Sequence, residues 1–208
     1  MAGTLFLVGT PIGNLGDVTD RARETLSRVD LVAAEDTRRT GRLLRALGLS
    51  ARQVSFFEGN EARRTRELLA ALREGRHVAV VSDAGMPGLS DPGERLVRAA
   101  VAAGIEVRVV PGPSAAIAAL VVSGLPAGRF AFEGFLPRRP SERRARLQAV
   151  AADPRTLILY ESPRRVRSLL REVVETLGDR RVALCRELTK LHEEVLRGRA
   201  SEVLAALG

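Results

Sequence analysis

The carboxylates Asp17, Glu35, Asp36 and Asp83 fall in or beside short turns that follow apolar runs of the chain. A carboxylate in such a place can accept a proton from an attacking hydroxyl, or hold a ribose through hydrogen bonds. Glu35 and Asp36 stand together in Ala34-Glu-Asp-Thr-Arg38 and are the candidates for a general base. The plainer reading of Asp36 is a cap for the helix that follows it. Asp83 suits either a site or a turn-stabilising side-chain bond. Asp91 stands before Pro92, an arrangement that suits a helix cap followed by the first helical position.

The same turns are rich in glycine and proline. Gly9-Thr-Pro-Ile-Gly-Asn-Leu-Gly-Asp17, Ser82-Asp-Ala-Gly-Met-Pro-Gly-Leu-Ser-Asp-Pro-Gly93 and Pro111-Gly-Pro-Ser114 each follow a compact apolar run. Gly opens backbone conformations closed to other residues, and Pro fixes φ while removing a donor. Such loops at the carboxyl ends of parallel strands define a crevice, which is where open α/β sheets bind small molecules. Nucleotide phosphates do not fit the first loop. Its glycine spacing departs from the dinucleotide fingerprint, Pro11 removes an amide, and no Gly-Lys-Ser/Thr ending is present.

Other chemistry is narrowed by what the chain carries little of. A single cysteine, Cys185, rules out an internal disulfide or a thiolate metal cluster, and with only His77 and His192 beside it no metal site is expected. Positive charge is abundant. Arg138, Arg139, Arg143 and Arg144 are candidate contacts to phosphate oxygens, against the ordinary reading of a solvated helix face. Arg164, Arg165 and Arg167 form a second dense segment. The net charge of +8 permits a polyanionic partner, although an Arg bias with Lys190 as the single lysine also fits coding composition or heat adaptation. Aromatic residues are 3% and Trp is absent, which argues against a base-stacking module of the RRM type.

These residues need a sheet to hold them. Strands are predicted at Thr4–Val8, Leu31–Ala34, Gln53–Phe57, Val78–Val81 and Ile105–Val110. Helices are expected from Thr19, around Leu43–Leu47, and over Ala62–Arg73, Glu94–Ala103 and Ala115–Val122. Alternation of this kind is the signature of a mostly parallel α/β sheet, and the unbroken apolar run Val78–Val81 suits a strand buried on both faces. Ser123-Gly-Leu-Pro-Ala-Gly128 interrupts the pattern and is the expected linker between a domain over 1–123 and a second, mixed α/β domain over 124–208. That second domain is predicted to carry strands at Phe130–Leu136, Thr156–Tyr160, Arg181–Arg186 and Glu193–Arg197. The sequence stops just after a helix, where an α/β domain ordinarily returns into a further strand. No apolar run approaches the roughly 18 residues that span a bilayer, and no signal peptide is read, so a cytoplasmic protein without a membrane partner is expected.

Gly9–Asp17, Ala34–Arg38, Ser82–Gly93, Pro111-Gly-Pro-Ser-Ala115 and Phe132-Glu-Gly-Phe-Leu-Pro137 follow one another in that order. Together they resemble the ribosomal RNA small subunit methyltransferase I family, within the tetrapyrrole methylase superfamily. The resemblance runs over essentially the whole chain. It implies a two-domain tetrapyrrole methylase-like α/β fold with S-adenosylmethionine bound in the cleft between the domains. It further implies 2′-O-methylation of a cytidine ribose in 16S ribosomal RNA, free or in the small ribosomal subunit, by a cytoplasmic homodimer. By the same resemblance Pro11, Met86, Leu89, Ser114 and Ala115 match the cofactor-holding loops, and Tyr160 closes the far side. Arg38 joins the arginine cluster as an expected substrate contact.

The sequence departs from the family pattern in two places. Met86 stands where many members carry Thr, which spares a backbone contact and removes a hydroxyl one. Full-length members also continue past residue 208 with a strand and a small C-terminal domain. Competing readings are a corrinoid or protein side chain as substrate, or a non-catalytic RNA-binding assembly factor. The basic second domain and the Ala-Glu-Asp-Thr-Arg stretch favour RNA, and the intact loops favour chemistry.

Overall fold

The computed structural model describes residues 1–207. The chain separates into two compact units, Met1–Ser114 and a second beginning at Ala115. This break falls ahead of the linker expected around residues 123–128, because the small-residue helix α5 (Ala115–Val122) packs in the second unit, with Ala116 and Leu120 on Ile158.

The first unit is a parallel sheet of β1 (Leu5–Val8), β2 (Leu31–Ala34), β3 (Gln53–Ser55), β4 (Val78–Val81) and β5 (Val107–Val110). The strand order is β3-β2-β4-β1-β5 with every pair parallel. Helices α1 (Asp20–Arg28) and α2 (Thr37–Ala46) cover one face; α3 (Glu61–Arg73) and α4 (Glu94–Ala102) cover the other. Central β4 explains its own sequence. Successive side chains of a strand point to opposite faces. Val78 and Val80 therefore meet Leu68, Leu72 and Leu96, while Ala79 and Val81 meet Ala22, Leu26 and Leu44. Both faces are covered, so every position must be apolar.

Local signals set the helix ends. Thr19 accepts the Ala22 N–H at 3.1 Å to start α1, and Asp36 accepts the Arg38 N–H at 2.8 Å to start α2. Gly48, with φ at 69°, closes α2 in the left-handed conformation that favours glycine. One expectation fails: α4 begins at Glu94 behind Gly93, so Pro92 lies outside the helix and Asp91 does not cap it. The Gly93 N–H is taken instead by Glu61 Oε1 of α3, at 3.0 Å.

The strand order positions the loops. From β1 the chain leaves over the α1 face, and from adjacent β4 it leaves over the α4 face. Where neighbouring strands send their connections to opposite faces, a crevice opens at their carboxyl ends. Those ends carry Gly9–Asp17 and Ser82–Gly93.

The second unit is mixed α/β, as expected. It pairs β6 (Phe130–Phe135) with β7 (Thr156–Tyr160) in parallel and β8 (Arg181–Arg186) with β9 (Glu194–Arg199) as an antiparallel hairpin. Around them lie α6 (Pro140–Ala149), α7 (Val166–Leu177) and α8 (Ala200–Ala206), with Leu136, Leu147, Leu169, Val173 and Ala200 in the core. Among the described residues no helix is long and apolar enough to cross a membrane.

Candidate active site

Three loops of the first unit are fastened together by their backbones. Thr10 and Gly85 exchange N–H···O bonds of 2.9 and 3.1 Å, an isolated antiparallel bridge between the loops after β1 and β4. The Thr10 hydroxyl donates to the Ser82 carbonyl at 3.1 Å, and the Gly9 N–H reaches the Val110 carbonyl at 2.9 Å. Gly9 and Gly112 are glycines for a steric reason. A Cβ on Gly9 would stand 2.6 Å from the Gly112 Cα and 2.8 Å from the Met86 Sδ, closer than real atoms approach. Gly85 has φ at 84°, and a Cβ there would lie 3.5 Å from Ile12 and from the Pro113 carbonyl. The loops after β1, β4 and β5 thus meet around Gly9, Gly85 and Gly112.

This places Pro11, Met86 and Ser114 on one fastened cluster, Pro11 directly after the Thr10 bridge. Met86 is half-buried with its sulfur over Gly9, and Leu89 is 38% exposed on the outer turn. The Ser114 hydroxyl is shielded from solvent without a hydrogen-bond partner among the described residues. A shielded hydroxyl lacking a partner is costly unless something else supplies the bond. Backbone glycines, short apolar side chains and an orphan hydroxyl can seat a small amphipathic molecule such as S-adenosylmethionine.

In the second unit Tyr160 ends β7. Its hydroxyl accepts the Ala116 N–H at 3.0 Å, at the amino end of α5, and its ring stands edge-on to Phe132 and Phe135 with centroids 5.0 and 5.4 Å away. The phenol thereby sits beside Ala115, which is the first residue of α5.

The acids are linked across the ends of β2 and β4. Glu35 Oε2 accepts the Asp83 N–H and Asp83 Oδ1 accepts the Asp36 N–H, both at 3.1 Å. Arg39 reaches Asp83 Oδ2, also at 3.1 Å. Asp36 caps α2 and pairs with Arg38, whose guanidinium and backbone N–H hold its carboxyl down at about 2. A carboxylate so strongly held is a feeble proton acceptor.

Asp91, read from sequence as a cap, joins this group instead. Burial first, then the charges of Glu35 and Asp83, raise its carboxyl to about 6 despite a bond from the Ser82 hydroxyl. The sequence offered a misleading cue, Pro92; the better cue was an acid in the loop after a fully buried strand.

The arginines divide. Arg138, Arg139 and Arg144 are exposed. Arg143 is not: its side chain is 6% exposed, and its guanidinium is bidentate on Glu172 of α7, with Nε–Oε2 at 2.7 Å. Its expected role as a substrate contact is therefore corrected to that of a buried ion pair holding α6 to α7. Arg38 is exposed but already paired with Asp36.

The family model of tetrapyrrole (corrin/porphyrin) methylases matches residues 4–204. A ribosomal RNA small subunit methyltransferase I of Micromonospora olivasterospora is 53% identical over 206 residues, 99% of this chain and 66% of that protein. One of Thermotoga maritima is 51% identical over 203 residues, covering 98% of this chain and 91% of the relative. The chain therefore spans just under two thirds of the first relative and most of the second. Among solved structures, uroporphyrin-III C-methyltransferase from Thermus thermophilus complexed with S-adenyl homocysteine superposes with a TM-score of 0.67 at 24% identity. That match covers 98% of this chain and 91% of the other, and it shows a shared fold.

Proposed function

The chain belongs to the tetrapyrrole methylase family, and within it to the ribosomal RNA small subunit methyltransferase I group; on that premise we propose that it methylates small-subunit ribosomal RNA using S-adenosylmethionine. The finer reading is 2′-O-methylation of a cytidine ribose in 16S RNA, by a cytoplasmic homodimer. The observation that carries the methyl-transfer reading is the fastened loop cluster, in which Thr10 and Gly85 bridge the loops of β1 and β4 over a glycine floor beside the orphan Ser114 hydroxyl.

Pro11, Met86, Leu89, Ser114 and Ala115 hold the cofactor in this reading, with Tyr160 beside Ala115. Bound there, S-adenosylmethionine supplies an electrophilic methyl on a sulfonium. The protein's part is alignment. An in-line displacement gains most from fixing the attacking oxygen opposite the methyl, and a backbone-stitched cradle limits how far the methyl can wander. A ribose hydroxyl is a weak nucleophile and benefits from a proton acceptor as it attacks. Asp36 is committed to Arg38. Asp91, at about 6, has the basicity that suits proton transfer near neutral pH, with Glu35 as its neighbour. The exposed Arg138, Arg139 and Arg144 give RNA phosphates a surface to meet.

A tetrapyrrole substrate is the reading suggested by the structural likeness at 24% identity. The relatives at 51% and 53% identity favour ribosomal RNA instead. The deciding experiment incubates the protein with S-adenosylmethionine and small-subunit RNA or assembling subunits, then maps ribose methylation. A single new 2′-O-methyl mark is expected. Cofactor binding with no mark on either RNA form would overturn the assignment.

A further inference from the structure

Strand β6 does not keep its alternation. Ala131 pairs with Leu157 and so shares a face with Leu159, which packs on the core of Leu136, Leu147 and Leu169. Counting by twos from Ala131 would put Glu133 and Phe135 on that same covered face. The register instead jumps: Phe132 stands against Ile158 and Gly134 against the very next residue, Leu159. Glu133 is the extra residue of a β-bulge, and Gly134 beside it takes a φ of 60°. From there on the faces are exchanged. Gly134 and Leu136 are buried, while Phe135, opposite Tyr160, joins the face of Phe132 and Tyr160.

The bulge leaves a large apolar ring in the open. Phe135 is 55% exposed, and the Tyr160 ring steadies it from one side, with 5.4 Å between centroids and 60° between planes. Tyr160 is itself fixed by the Ala116 N–H and by the Phe132 ring. A lone exposed apolar residue is ordinary and needs no explanation. A bulge that exchanges a covered position for an exposed one is different, because bulges beside sites serve to re-aim a side chain.

The extra residue also organises what surrounds the ring. Glu133, with a side chain only 9% exposed, accepts from Arg146 Nε at 2.7 Å and from Nη2 at 2.6 Å, tying α6 to the bulge. Between β6 and α6 the chain carries Arg138 and Arg139, three and four residues beyond Phe135 and both exposed. Arg139 is engaged only in a surface pair with Glu142, which a phosphate readily displaces. An open aromatic ring next to free guanidinium groups is the combination that holds unpaired nucleotides: bases stack on the ring and the charges follow the backbone.

We propose that Phe135 is a stacking platform for one unpaired base of the RNA substrate, with Arg138 and Arg139 on the phosphates that flank it. The inference rests on RNA as the substrate and gives that RNA a contact that does not depend on charge. A single ring is not the multi-aromatic surface of an RRM, so an aromatic content of 3% is no obstacle. Every base has a face that stacks, so Phe135 selects a nucleotide that is free of its helix rather than a particular sequence.

Three variants test this. Phe135→Leu keeps apolar bulk and removes the aromatic face, Phe135→Tyr keeps the face, and Phe130→Leu alters a 38% exposed ring at the other end of the same strand. Each is titrated with small-subunit RNA at several salt concentrations, and its urea midpoint and S-adenosylmethionine affinity are measured alongside. Phe135→Leu is expected to weaken RNA binding by roughly fivefold or more, with midpoint and cofactor affinity unchanged. Its slope of log affinity against log salt should match that of the unaltered chain, because no phosphate contact is lost. Phe135→Tyr and Phe130→Leu should bind RNA as the unaltered chain does. Equal affinity in Phe135→Leu overturns the proposal, as does an equal loss in Phe130→Leu or in Phe135→Tyr. A shift of oligomeric state in Phe135→Leu also overturns it, and assigns the ring to a contact between copies of the chain. Ribose mapping keeps the two readings apart. A methyl mark made by the unaltered chain, with equal RNA affinity in Phe135→Leu, sinks the platform alone; RNA binding that depends on Phe135 without any mark supports the platform and sinks only the methyl transfer.

Discussion

Asp91 is the residue at which sequence and structure diverge most usefully. Its carboxyl sits at about 6 because burial and the charges of Glu35 and Asp83 oppose ionisation. A folded value above the ordinary 3.8 means that the folded state holds the proton more tightly. Stability is therefore lost as pH rises from about 4 to about 6, and the penalty is complete above that. Asp91→Asn should stabilise the protein at pH 7.5 by about 1 kcal/mol, discounted for the side chain's access to solvent. The gain should vanish at about pH 3, where the carboxyl is protonated in the folded and unfolded chain alike. Urea denaturation at the two pH values checks this, and an equal gain at both would place the effect in packing. The same variant should methylate RNA at least tenfold more slowly at pH 7.5 while binding cofactor normally. Arg143 shows the opposite failure of local reading. Within a run of arginines it looked like surface charge, yet it shares a helix face with Leu147, four residues on, which is fully buried. That spacing was the available signal. Arg143→Ala should cost about 3–5 kcal/mol by leaving Glu172 as an uncompensated buried charge, read as a lowered urea midpoint.

At the level of elements the sequence was transparent wherever one local rule decided the outcome. Val78–Val81 reads as a doubly covered strand because both faces need apolar residues, and Thr19, Asp36 and Gly48 mark helix ends by chemistry confined to one turn. The order β3-β2-β4-β1-β5 and the Thr10–Gly85 bridge were not readable, because they join residues far apart in sequence and leave no local trace. The loops could be recognised as loops, but not as one fastened cluster. That cluster makes a sharp demand on Gly9, since any Cβ there meets Gly112 and Met86. Gly9→Ala should destabilise the protein by about 1–3 kcal/mol through overpacking. It should also weaken S-adenosylmethionine binding by at least tenfold in calorimetry. The corresponding change at Gly104, where a Cβ meets nothing within 4 Å, offers a control whose cost comes only from its φ of 67°. Equal cofactor affinity in the two variants would separate the cradle from the binding site.

For the whole molecule the net charge of +8 permits a polyanionic partner, and the structure sorts which arginines are available to meet one. Many are already in ion pairs at the surface: Arg28 with Glu24, Arg63 and Arg64 with Glu67, Arg108 with Glu106, Arg155 with Asp153. Composition counts these equally with the rest, which is why it could suggest RNA without locating it. Around α6 the balance differs. Arg138 and Arg144 are exposed, with Arg144 only at 3.9 Å from Glu175, while Arg139 shares an exposed pair with Glu142. Exposed pairs of that kind are worth little and yield readily to a phosphate. Replacing Arg138, Arg139 and Arg144 together by Gln should therefore leave the fold intact and weaken RNA binding. Each phosphate contact to a single strand contributes about 0.7 to the slope of log affinity against log salt, so losing all three should flatten it by about 2. Titration of small-subunit RNA at several salt concentrations gives the slope directly. A slope unchanged within 0.5, on the scale of about 0.7 per contact, would return α6 to the class of solvated faces and move the RNA surface elsewhere.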